Sequence, residues 1–343
     1  MPTHPATTHE SVEQTSFSDE AVERLLAIDG VPPHVSDAYL RRWLGTASPF
    51  LAYGRAALLF AEERGAIAVT FNPRVTGTPF AGFSFLRLAP GLSATERQTV
   101  AQSLLQEAKQ WAQAQGAKHL RGPLPFSTWH PYRVVDTDTG ARPFRFPGES
   151  VEDRAIQELY RSAGLEITDR YETRMLVDGQ PPWDPLLKME SLMRRRSRYQ
   201  IRPLAPAEVG ARMARIFEMV SATFSNNAYY SPIDPAEFAE LMGGGAAKGY
   251  SLGAFSPEDE FIGFCVGYAH DGVGILKTLG VAPEYRGSYV AMGLTFEFHR
   301  QLKQDGLRTA LHAMMKDDNA SQSMSAKYAQ PLRSYVLYGC AVD

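Results

Sequence analysis

Cysteine is nearly absent: Cys265 and Cys340 are the only two in 343 residues. Two thiols build neither a disulfide framework nor a cysteine-based metal site. Cys265 lies in an apolar strand pattern and is expected as a small core residue. A reducing, cytoplasmic setting fits this usage. Long apolar runs are also missing, since no stretch reaches the roughly 18 residues of a membrane span. No membrane partner is therefore expected. Charge of one sign is lacking too. Lys and Arg number 35 against 38 Asp and Glu, a formal net charge of -3. That balance gives no global case for binding nucleic acid. Met1 to Glu20 lacks a basic region followed by an apolar one, so it does not read as a signal peptide. Residues 1–16 are expected to be a disordered lead-in.

What is present is ordinary for a globular protein: 44% hydrophobic and 21% charged residues. The length suggests about two domains. Phe17–Leu44 reads as helix, interrupted at Val31-Pro32-Pro33. Strand patterns follow at Ala56–Phe60, Ala66–Thr70 and Ala81–Leu88. Ser93 and Glu96 form a capping box ahead of a helix with Val100, Leu104, Leu105, Ala108 and Trp111 on one face. Gly116 ends it. Lys118–Leu120 is a short strand, Arg121–Pro147 reads as irregular, Val151–Ser162 as helix and Glu166–Val177 as a long strand. A helical connector carrying Arg194, Arg195, Arg196 and Arg198 spans 181–200; it reads as a solvated face partly paired with Asp184 and Glu190.

The second half repeats the outline without repeating the sequence. Strands are expected at Ile201–Leu204, Tyr250–Phe255, Phe261–Ala269, Val273–Val281, Arg308–Met315 and Tyr335–Cys340. Helices are expected at Ala207–Phe224, Pro235–Leu241, Tyr289–Lys303 and Asn319–Tyr328. The expected class is α/β with mixed sheets, in two domains over 17–180 and 201–343.

The most informative stretch runs from Ile275 to Ala291. An apolar strand leads through Ala282-Pro283 into the turn Glu284-Tyr285-Arg286-Gly287-Ser288, and a helix follows. A helix N-terminus presents backbone N–H groups and a positive dipole end to an anion. Gly287 permits close backbone approach, while Arg286 either adds charge or braces the turn.

On Thr278-Leu279-Gly280-Val281, Tyr285-Arg286-Gly287 and Asp318-Asn319-Ala320-Ser321, the segment Ile201–Gly339 resembles the GNAT superfamily of N-acyltransferases. The resemblance implies two tandem GNAT-like domains and an acyl group, acetyl being the simplest, moved from a thioester to an amine. The donor would be acetyl-CoA or another acyl-CoA, with an acyl carrier protein thioester as the alternative. Leu279, Gly280, Val281, Arg286, Gly287, Ser288, Tyr289, Val290, Ala291 and Asn319 are implied for acyl-CoA. The family motif Arg/Gln-x-x-Gly-x-Gly/Ala reads Arg286-Gly287-Ser288-Tyr289-Val290-Ala291, so Tyr289 stands at the middle glycine. Ser325 aligns with the family's catalytic Tyr, and Tyr328 lies one turn on; both are candidate catalytic residues. Asn226, Asn227, Tyr229 and Tyr230 occupy the family's acceptor loop, which would take a small-molecule or peptide amine. No general base stands out: His270, His299, His312 and Glu297 read as core or outward-facing groups.

In the first half, Gly122-Pro123-Leu124-Pro125-Phe126-Ser127 resembles the Gly-Pro-x-x-Phe-Ser stretch of certain tandem GNAT-like proteins. Its strand-to-helix turn, Leu88 to Ala94, lacks the phosphate motif, and Pro90 removes a donor. This half reads as a degenerate domain, with Trp129, His130, Tyr132 and Arg133 expected to face an acceptor. Alternatives are a Fem-type ligase using aminoacyl-tRNA and a non-catalytic binding protein that keeps the fold.

Overall fold

A computed structural model describes residues 10–28, 35–139, 144–149, 154–177, 199–225, 229–243 and 249–342, with isolated connector positions 188, 191, 192 and 195. The chain divides into two units. The first comprises Met1–Asp136, Gly148–Arg170 and Tyr335–Asp343, and the second comprises Thr137–Pro147 and Tyr171–Ser334.

The first unit begins with β1 (Glu13–Ser16), α1 (Asp19–Ala27), α2 (Asp37–Leu44), β2 (Arg55–Ala61), β3 (Gly65–Phe71) and β4 (Phe80–Leu88). Next come α3 (Ala94–Ala114), β5 (His119–Gly122), β6 (Val134–Asp138), α4 (Arg154–Ser162) and β7 (Glu166–Val177). Its sheet runs β1-β2-β3-β4-β5, then the C-terminal part of β13 (Gln330–Ala341), then the start of β7. β4 and β5 are parallel, and α3 is the crossover helix that such a pair requires. The capping box at its start forms as expected: Ser93 Oγ accepts from Glu96 N–H, and the Glu96 carboxylate accepts from Ser93 N–H. The apolar face of α3 buries Val100, Leu104, Leu105 and Ala108 against β2, β3 and β4.

Some expectations are corrected. Residues 13–16 are not disordered lead-in. They pair with β2 from Glu13↔Phe60 to Ser16↔Ala57, and an all-polar strand of this kind has no apolar alternation to announce it. The irregular stretch 121–147 contains β6. The last strand does not stay with residues 201–334: Tyr338 pairs with Gly122, and Val336 and Tyr338 join the first unit's core. Ladder partners so distant in sequence leave no local signal.

The second unit holds β8 (Gln200–Pro203), α5 (Pro206–Ala211), α6 (Met213–Phe224), α7 (Pro235–Gly243), β9 (Leu252–Phe255) and β10 (Phe261–His270). It continues with β11 (Val273–Val281), α8 (Val290–Gln304), β12 (Thr309–Lys316) and α9 (Ala320–Ser325). Its sheet runs β8-β9-β10-β11-β12 and ends on residues 171–177 of β7. Only β11 and β12 are parallel, joined through α8. Leu294, Phe298 and Leu302 of α8 pack with Leu252, Ala254 and Cys265 of the sheet. Cys265 is fully buried, and burial pushes its thiol up to about 12, the inert core role expected of it. Among the described residues no helix is long and apolar enough to cross a membrane.

Candidate functional site

β11 and β12 pair from Val273↔Thr309 to Leu276↔His312, and there the ladder stops although both strands continue. Each strand is irregular at that level. On β11, Thr278 faces Val266 and Leu276 faces Gly267, so Lys277 is an extra, bulged residue. On β12 the register with β7 slips between His312 and Met315, and Met314 takes φ 54°. Bulges bend strands and increase their twist, so these two account for the parting. Leu279, Gly280 and Val281 lie beyond the fork, paired on the other side with Cys265, Phe264 and Gly263 of β10.

The strand then enters a short 3-10 turn, Pro283–Tyr285. Gly287 has φ 81° with open space where a Cβ would stand. Tyr289, at the position of the motif's middle glycine, takes φ 64° and is the N-cap of α8. A tyrosine here adopts the backbone glycine favours, at a cost in strain. The residue is 45% exposed and so does not plug a buried pocket. No side chain caps α8, and no acidic residue lies in its first turn. The N–H groups of Val290, Ala291 and Met292 find no backbone acceptor among the described residues. Arg286 braces the turn: its Nη2 donates to Ala222 O of α6 at 2.8 Å. Ser288 Oγ donates to Tyr285 O.

Behind the fork lies a buried polar chain. His299 Nε2 and His312 Nε2 are 2.8 Å apart, and His312 Nδ1 lies 2.8 Å from Ser325 Oγ. Burial holds both imidazoles neutral: His312 is pulled down to about 4, and His299 falls well below its ordinary value, helped by its neighbour. Nothing in the local sequence joins His299 to His312. The i-to-i+4 spacing that finds helix neighbours cannot find a pair made across a helix and a strand.

α9 is shorter than the expected 319–328 helix, ending at Ser325, and Tyr328 sits in the following turn. That turn is held by Arg174 Nη1 donating to Ala329 O at 2.8 Å. Tyr328 is 7% exposed, stands edge-on to His312 and packs with Leu176 and Ala329. Its hydroxyl is buried with no hydrogen-bond partner among the described residues. Desolvation pushes its pKa up to about 12, so it is a proton-bearing group at neutral pH. Ser325 is fully buried and engaged with His312. Asn319 Oδ1 accepts from Gln322 N–H at 2.7 Å, so that side chain caps α9.

Tyr229 and Tyr230 are partly buried, while Asn226 and Asn227 lie outside the described residues. Of the connector arginines only Arg195 is described, and it is exposed. In the first unit, His130 is buried, with Nδ1 2.7 Å from Tyr39 Oη and its ring 4.5 Å from Trp43. Arg133 stacks on Tyr132 with 3.6 Å to the ring centroid. His130, Tyr132 and Arg133 are thus interior groups, and Trp129 is partly buried. Among the described residues no cluster of His, Cys, Asp and Glu is arranged to hold a metal ion.

No protein-family model matches the sequence, and no curated protein matches it. Solved structures match its fold. A tandem GNAT protein from the clavulanic acid biosynthesis pathway, solved without AcCoA, is 13% identical with a TM-score of 0.54, covering 97% of this chain and 99% of that one. A GCN5-related N-acetyltransferase from Kribbella flavida is 13% identical with a TM-score of 0.58, covering 97% of this chain and 72% of that one. The glucosamine N-acetyltransferase region of a fungal multi-domain β-N-acetylglucosaminidase is 13% identical with a TM-score of 0.56, covering 97% of this chain and 38% of that one. The chain has the tandem GCN5-related N-acetyltransferase fold. At such identities the likeness is one of fold.

Proposed function

We propose that the protein is an N-acyltransferase that moves an acyl group from a CoA thioester to an amine, with the donor held in the second unit. The observation that carries this reading is the uncapped N-terminus of α8. It lies behind the open Gly287 turn and follows the strand that has parted from β12. Pyrophosphate needs convergent donors, which the first turn of α8, free of acidic residues, would supply; the nearby Glu284 is paired with Arg215. The backbone of Leu279, Gly280 and Val281 would hold the pantetheine arm and polarise the thioester carbonyl. Tyr328, protonated and unpartnered, would give its proton to the departing thiolate. Acetyl is the simplest acyl group that fits the reading. The first unit would shape the protein without taking CoA itself.

Calorimetric titration of the whole protein with CoA and acetyl-CoA tests this. Saturable binding that weakens sharply in Ala291→Glu is the expected result. Absence of heat with CoA and with short and long acyl-CoA thioesters would overturn it.

A further inference from the structure

Lys277 is the bulged residue of β11, immediately after the last β11–β12 ladder pair. It therefore stands at the apex where the strands part. From there β11 runs on to Val281, about 13 Å at strand rise, toward the α8 turn. If phosphates are bound at the turn, the apex is the reacting end of the fork.

Two properties set this lysine apart. It forms no hydrogen bond or ion pair among the described residues, although the protein as a whole carries three more acidic than basic side chains. The residue is also exposed, and the protein around it lowers its pKa through desolvation with no carboxylate acting on it. An exposed ammonium at the fork apex with no carboxylate beside it among the described residues is open to one brought by a ligand.

We propose that Lys277 is an anion-recognition residue, its ammonium receiving a carboxylate carried by one of the two substrates at the apex of the fork. The inference rests on the acyltransferase reading and sharpens it to a substrate class. The carboxylate belongs either to the acceptor, as in an amino acid, or to the acyl chain, as in a dicarboxylic half-thioester.

Binding to wild type, Lys277→Met and Lys277→Arg separates these sources. One arm compares succinyl-CoA with acetyl-CoA, and the other compares α-amino acids with their carboxamides in the presence of CoA. In one arm the anionic member binds wild type roughly tenfold more tightly than its neutral partner, as a charge-assisted hydrogen bond would give. Lys277→Met loses that preference and Lys277→Arg keeps most of it. No preference in either arm, or a preference that survives in Lys277→Met, overturns the proposal. So does an equal fall in kcat for both variants on charged and neutral substrates alike, which would mark proton transfer instead. CoA alone is titrated into all three proteins. Intact CoA binding without a charge preference sinks only the Lys277 assignment, whereas no CoA binding to wild type sinks the acyltransferase reading itself.

Discussion

Each unit builds the same device, a parallel strand pair joined through a helix, and the two treat it in opposite ways. In the first unit β4 and β5 pair from Phe80↔His119 to Gly82↔Arg121. Beyond that point the chain itself follows β4: Leu124 N–H donates to Phe83 O at 2.8 Å, and Thr70 Oγ1 donates to Pro125 O. A Cβ at Gly82 would meet Leu124 O at 2.2 Å. The start of α3 is closed as well, by Ser93 and by Glu96, whose carboxyl is held low by its bonds to Ser93. Among the described residues of the second unit, the corresponding fork carries no such ladder, and the start of α8 has neither side-chain cap nor acid. The same strand–helix device can thus start its helix with donors closed or donors free, because a capping box satisfies internally the few backbone N–H groups that an anion would need.

The comparison can be broken most forcefully at Tyr328. Replacing it with Phe should cut turnover by about 100-fold or more, the usual range for a lost acid catalyst. CoA affinity should be retained, and removing an unsatisfied buried hydroxyl should leave stability unchanged or raised. Steady-state kinetics beside a thermal melt checks both, and wild-type turnover in the Phe variant would remove Tyr328 from the chemistry. Giving α8 the acidic first turn of α3, by Ala291→Glu, should weaken CoA binding roughly tenfold through lost dipole and N–H interactions. Calorimetry reads that directly.

Gly82→Val tests the other copy. The added side chain collides with the Leu124 and Pro125 carbonyls, and overpacking of this kind costs about 1–3 kcal/mol. Denaturant melts should show that loss while CoA affinity stays put; a fall in CoA affinity would mean the first unit takes part in binding.

The buried histidines add a pH signature. Unfolded imidazoles take up protons below about their ordinary 6.5, while His312 resists until about 4 and burial likewise holds His299 well below its ordinary value. The unfolded state binds more protons in that window, so stability is full above it and declines as pH falls from 6.5 toward 4. Melts across that range should flatten in a His299→Leu/His312→Leu/Ser325→Ala variant, which removes the whole chain. The smallest effect is expected from Ser93→Ala, a lost cap worth about 1 kcal/mol, again without change in CoA binding.

Much of this was legible along the chain. β7 and β11 match their expected spans, Glu166–Val177 and Val273–Val281, because apolar content and flanking breakers mark long strands well. The capping box of α3 and the turn at Gly287 are local chemistry, and both appear where the residues place them. Lys277 carries no signal along the chain because a bulge is a mismatch between two strands and leaves no mark in one of them. The His299–His312–Ser325 chain carries none either, because it needs a helix, a strand and a second helix brought together. Tyr328 was expected on a helix, whereas α9 stops at Ser325 and leaves it in a turn gripped by Arg174.

By itself the amino-acid order determined most of the apolar strands and helices, the caps and the strand–turn–helix that can meet an anion, since each depends on residues within a few positions of one another. Tertiary structure alone decided that the last strand completes the first unit, that one strand fork is filled by its own chain, and that a lysine unpaired among the described residues stands at the apex of the other. Those outcomes arise from pairings between distant segments, where register and packing choose the partner and local propensity has no vote.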